Sequence, residues 1–156
     1  MAVAVVLLAA AGLVGYFLAS GSRGAVAAVQ GDCIEVVSAR DARTETVDCR
    51  GPEAVYRVGK RLDSASGACP DGEYSELTSG TSVKLCLMLN AHEGDCFTTM
   101  AAGRNQTHQR VPCTGPADYQ VRRVVVGRQD RSLCDQGNVV ASYSEPATTV
   151  CLMPRT

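Results

Sequence analysis

The stretch GDCIEVVSARDARTETVDCRGP, residues 31–52, returns further along the chain as GDCFTTMAAGRNQTHQRVPCTGP, residues 94–116. Gly31-Asp32-Cys33 matches Gly94-Asp95-Cys96, and Cys49-Arg50-Gly51-Pro52 matches Cys113-Thr114-Gly115-Pro116. Self-similarity at a fixed period is the sequence mark of a duplicated structural unit. The match extends outward from this seed. Tyr56-Arg57-Val58 returns as Tyr119-Gln120-Val121, and Cys86-Leu87-Met88 as Cys151-Leu152-Met153. The eight cysteines keep step with it, at 33, 49, 69 and 86 and then at 96, 113, 134 and 151. Two copies of one four-cysteine unit follow, over 31–90 and 91–156.

Each copy reads as β-structure. Cys33 to Val37 is rich in branched residues, and Ala54, Tyr56 and Val58 alternate along the next run, which puts them on one face of a strand. Val83, Leu85, Leu87 and Leu89 alternate in the same way at the end of the first copy. The second copy offers Val121 to Val126 and Thr149 to Met153. The Ser-, Gly- and Asp-rich stretches 63–72 and 127–138 read as loops. A unit of about 60 residues buries little apolar surface, and disulfides are the usual remedy. Eight cysteines, an even number in a chain of 156 residues, point to an oxidising compartment. Duplication confines pairing within each copy. Four cysteines allow three pairings; neighbours joined (Cys33–Cys49 with Cys69–Cys86, Cys96–Cys113 with Cys134–Cys151) is favoured, with first-to-fourth as the rival.

The N-terminus is of a different kind. MAVAVVLLAAAGLVGYFLAS, residues 1–20, carries no charged side chain. About 20 residues as a helix span roughly 30 Å, the hydrocarbon thickness of a bilayer. The expectation is a transmembrane anchor over 1–23, in contact with membrane lipid through 1–20, and a linker over 24–30. Ala25-Val26-Ala27 offers a signal-peptidase site as the competing reading, but the apolar run is longer than a usual signal core and no basic segment precedes it. Arg23 on the C-terminal side would by the positive-inside rule face the cytoplasm; the cysteines outweigh it and put the two units outside. Thirteen arginines against two lysines, with heavy use of Ala and Val, is the codon signature of a GC-rich genome.

The two copies resemble the repeat of a family of actinobacterial envelope proteins, the LppU-like lipoproteins among them. The resemblance rests on Gly31-Asp32-Cys33, Val47-Asp48-Cys49, Tyr56, Cys69 and Leu85-Cys86-Leu87. In the second copy it rests on Gly94-Asp95-Cys96, Val111-Pro112-Cys113, Tyr119, Cys134 and Val150-Cys151-Leu152. It covers nearly all of 31–153. It implies an envelope location and no known catalytic residues. The chain departs from the lipoproteins in having no lipobox.

Composition argues against several functions. A net charge of −1 without a basic stripe is not that of a nucleic-acid binder. No C-x-x-C pair suggests zinc, thioredoxin-like chemistry or haem attachment, and no Gly-rich loop suggests a phosphate site. The two histidines, His92 and His108, do not recur between copies. His92, Glu93 and Asp95 are close enough in sequence for a weak metal site but read better as a solvated turn. Asp32 and Asp95 read as turn residues whose carboxylates accept backbone N–H groups. Asn105-Gln106-Thr107 fits a glycosylation acceptor without meaning in a bacterium. Arg122 and Arg123 interrupt an apolar strand and face either solvent or a partner. No catalytic, cofactor or metal residue is expected. The reading is a non-enzymatic, membrane-anchored interaction or assembly protein, for instance an accessory subunit of a respiratory complex. The alternative is a binder of cell-wall or small-molecule ligands, which would carry a concave pocket between the two units.

Overall fold

The computed structural model describes residues 25, 27–38, 43–102 and 105–155. The anchor expected over 1–23 lies outside them; no helix among the described residues is long and apolar enough to cross a membrane. The described chain is mainly β, in two five-stranded antiparallel sheets. The first holds β1 (Cys33–Ser38), β2 (Arg43–Val47), β3 (Tyr56–Leu62), β4 (Ser75–Ser79) and β5 (Val83–Leu89), in the order β2-β1-β3-β5-β4. The second holds β6 (Cys96–Ala102), β7 (Asn105–Val111), β8 (Tyr119–Val126), β9 (Val139–Ser144) and β10 (Ala147–Pro154), in the order β7-β6-β8-β10-β9. Strand for strand the two orders are the same.

The repeated motif has a repeated local physics. Gly31 and Gly94 take φ of 94° and 92°, a left-handed turn that only glycine enters without strain. The following aspartate closes that turn: Asp32 Oδ2 accepts the Val29 N–H at 2.9 Å, and Asp95 Oδ2 accepts the His92 N–H at 2.9 Å. Its backbone then joins the central strand, since Val58 N donates to the Asp32 carbonyl and Val121 N to that of Asp95, both at 2.8 Å. The cysteine after it opens β1 or β6 and is bonded to the end of the same hairpin. Disulfides join Cys33 to Cys49, Cys69 to Cys86, Cys96 to Cys113 and Cys134 to Cys151. Loops of 16 or 17 residues closed this way each contribute about 3 kcal/mol in the chain-entropy account.

Two stretches are buried beyond what the sequence patterns alone indicate. The alternation read in 83–89 implied one buried face, yet Cys86 and Met88 on the other face are buried as well. The loop stapled by Cys69 to Cys86, together with packing at Met88, accounts for the second burial. The stretch read as a linker over 24–30 is packed onto the first sheet where described. Ala25 and Ala28 are buried, and Arg61 Nη1 donates to the Ala28 carbonyl at 3.0 Å.

The core is shared. Ile34, Tyr56, Val58, Leu85 and Leu87 of the first sheet lie in one hydrophobic cluster with Phe97, Val121, Tyr143, Val150 and Leu152 of the second. Each fully buried Leu, Val, Ile or Phe side chain contributes about 1.5–3 kcal/mol, and here that burial depends on both sheets being present.

Candidate interaction site at the boundary of the two sheets

The sheets meet through their edges as well as their faces. An exposed edge presents unpaired N–H and C=O groups that must be satisfied or covered. On β9 the loop of the first copy does this. Gly72 bridges Tyr143 in antiparallel fashion, Glu73 N donates to the Ser142 carbonyl and Ser144 N to the Asp71 carbonyl, both at 3.0 Å. A Cβ on Gly72 would lie 2.5 Å from the Ser142 carbonyl oxygen and 2.9 Å from Tyr143 Cα, so only glycine permits the approach. On β7 the hydroxyl of Tyr56 accepts the His108 N–H at 2.8 Å.

Side chains present in one copy and absent from the other finish the seam. Tyr143 stands where the first copy has Ser79, and its hydroxyl accepts the Leu89 N–H at 3.1 Å across the boundary. Burial raises the Tyr143 phenol to about 12, which keeps it protonated. Glu73 accepts from Ser142 N at 2.6 Å and pairs with Arg131. Burial alone would raise its carboxyl, but the bonds from Ser142 and the charge of Arg131 outweigh this and hold it below its ordinary value. Tyr74 Oη donates to the Glu145 carbonyl at 2.7 Å and accepts from Glu145 N at 2.8 Å, while Lys60 meets the Glu145 carboxylate at 2.6 Å. Arg110 donates to the carbonyls of Gly51 and Asn90 and lies over the Phe97 ring, 5.4 Å from its centre.

Of the clefts along the seam, two are lined by both Tyr56 and His108. The larger, of about 520 Å³, runs between Glu35–Val37, Pro52–Tyr56 and the strand 107–110, with Met100 at its side. The smaller, of about 210 Å³, is walled by Ser75, Leu89, Thr99, Tyr119 and Tyr143 among others. Burial lowers the His108 imidazole below its ordinary value of 6.5, against a weaker opposing pull from Asp118. Its Nδ1 is buried without a hydrogen-bond partner.

Of the other residues singled out from sequence, His92 and Asp95 meet in one turn, with Nδ1 3.4 Å from Oδ2, while Glu93 turns away to β8. His92 is exposed in the turn before β6; Glu93 Oε1 accepts from Val124 N at 3.2 Å; Asp95 faces Arg110 at 3.3 Å. Among the described residues no three His, Cys, Asp or Glu side chains converge as a metal-binding group. Asn105 and Thr107 lie at the start of β7. Arg122 and Arg123 are exposed on β8. Reading the repeat for its matches passed over Gly72, Glu73, Tyr74, Tyr143 and Glu145. Glu73, Tyr74, Tyr143 and Glu145 stand where the copies disagree, which is the signal that finds them; Gly72 recurs as Gly137 and carries no such signal. Comparison with protein-family models, with curated proteins and with solved structures gives no match.

Proposed function

We propose that this chain is a non-enzymatic interaction protein, held by residues 1–23 on the outer face of the cytoplasmic membrane, where its paired sheets brace a membrane protein complex as an accessory subunit. An LppU-like envelope protein with a membrane helix in place of a lipid is the family setting that fits this proposal. The observation that carries it is the seam. Three polar side chains that one copy has and the other lacks are spent on bonds between the sheets: Glu73 on Ser142 and Arg131, Tyr143 on Leu89, Tyr74 on Glu145. A catalytic constellation would instead leave a nucleophile and a base facing each other and a substrate. Rigid presentation of a surface limits the ordering entropy lost when a partner binds. Burial of Ala25 and Ala28 against the block would shorten the reach of such an anchor.

The test is purification of the full chain, tagged at its C-terminus, from its native membranes in mild detergent. A membrane complex recovered in fixed stoichiometry supports the proposal; recovery of the chain alone overturns it. A second reading, an envelope ligand binder, is favoured by the cleft of about 520 Å³ between the two copies, the size of small-molecule sites generally. Native mass spectrometry of the same preparation separates the two, because a retained small molecule lost on Met100→Glu would favour the ligand reading.

A further inference from the structure

The duplication supplies a site with its occupant and the same site without one. Both central strands carry a bulge at the same place. In the first sheet the register against β5 shifts between Val58 and Lys60, and in the second the register against β10 shifts between Val121 and Arg123. The extra residues are Gly59 and Arg122, and the residues after them are Lys60 and Arg123. A bulge bends the strand outward and re-aims the side chains beside it.

The bulge of the first sheet is filled. The turn between β9 and β10 sits on it, with the Glu145 carboxylate 2.6 Å from Lys60 Nζ and the Glu145 backbone held by Tyr74. A Cβ on Gly59 would come within 2.9 Å of the Glu145 carbonyl oxygen. The bulge of the second sheet faces solvent. Arg122 and Arg123 are both exposed, and Arg122 has no hydrogen-bond or ion-pair partner among the described residues. Arg123 is steadied by its Nη1 donating to the Leu133 carbonyl at 3.0 Å. The nearby Glu93 takes the Val124 N–H and makes no ion pair with either arginine. Nor can the turn of the first copy continue the chain of contacts. Its tip, Gly80-Thr81-Ser82, carries no carboxylate, and an arginine stands where glycine allowed the close approach.

We propose that the Arg122–Arg123 bulge is the docking point for an acidic loop of a partner protein, which supplies two carboxylates where the first copy takes one from Glu145. This rests on the reading of the chain as an interaction protein and names the contact by which it acts. Arginine suits the role because its planar fork engages carboxylates two bonds at a time. A protein carboxylate is favoured over a lipid headgroup because a glutamate on a tight turn is what the matching bulge holds.

The test uses Arg122→Lys and Arg123→Lys in the full chain in its native membranes, treated with a carbodiimide. That reagent condenses an amine with a carboxylate in direct contact to an amide, itself taking up the water as a urea, and mass spectrometry of the linked peptides tells an Asp or Glu of a polypeptide from a lipid adduct. The Lys60–Glu145 pair serves as the internal control in the same sample. The expected result is that internal link together with a link from position 122 or 123 to an Asp or Glu of another polypeptide. Co-recovery of that polypeptide should fall about tenfold or more with R122E/R123E, since reversed charge at a contact repels as well as removing attraction. The internal link without a link from 122 or 123 to another polypeptide, which is also what contact with anionic lipid alone would give, overturns the proposal. If a complex still co-purifies in that case, the interaction reading stands and only this docking point falls. If the chain is recovered alone, both fall.

Discussion

At the bulge of β3, Gly59 lies under the turn of the other copy. At the matching bulge of β8, Arg122 stands in solvent. The same contrast runs through the molecule. Gly72 of the first loop presses against β9, whereas its counterpart Gly137 has nothing within 4 Å of the position a Cβ would take. The N–H of His108 on β7 donates to Tyr56 of the other copy, although its Nδ1, like Oγ1 of the matching Thr44 on β2, is buried without a partner. Two copies of one sequence pattern have one backbone and two surroundings. Residues that recur build the unit, and two of them, Gly72 and Tyr56, also join the units because their surroundings differ; most residues that differ, Glu73, Tyr74 and Tyr143 among them, serve the join alone.

The strongest way to break this contrast is Gly72→Ala. Its φ of 141° and the 2.5 Å contact with a backbone oxygen leave no room for relaxation. The expected loss is about 3 kcal/mol in urea unfolding of the full chain, against about 1 kcal/mol for Gly137→Ala, where only the positive φ is strained. Gly59→Ala comes next. Forcing a methyl between Tyr74, Met88 and Glu145 should cost about 2 kcal/mol, while Arg122→Ala at the matching bulge should stay within about 0.5 kcal/mol. Tyr143→Phe leaves the Leu89 N–H buried and unmet, and about 1–2 kcal/mol should be lost; Ser79→Ala at the matching position should cost less.

The smallest effect is one of pH. His108 has a folded value below its ordinary 6.5, so the unfolded chain binds the extra proton first. The stability from keeping it neutral is complete above about pH 6.5 and declines as pH falls below it. The urea midpoint should therefore drop between pH 7 and 5, and His108→Gln should flatten that slope. Glu73, whose folded value is also lowered, contributes stability present above 4.5 and lost as pH falls further into the acid range. The seam should therefore weaken in two successive steps on acidification.

The sequence was most legible where the repeat constrained it. The cysteine spacing, the Gly-Asp-Cys turns and the apolar strands at 33–37, 83–89 and 121–126 were readable because glycine, cysteine and alternating branched residues have few other uses. The polar strands were not. β2 reads RTETV, β4 SELTS and β7 NQTHQRV; as edge strands they bury little, so they carry no alternation to detect. The seam was least legible of all. Tyr143 and Glu73 sit in polar surroundings that look like any strand end or loop, and their partners lie 54 and 69 residues away in sequence.

If that seam closes the two sheets into one cooperative unit, they must unfold together. Hydrogen exchange of the full chain in mild detergent, followed by mass spectrometry, tests it most directly. Amides of β3 and β5 should open with the same free energy as those of β8 and β10, and Gly72→Ala should lower both together. Exchange of one sheet at its own free energy, with the other unmoved by Gly72→Ala, would contradict it.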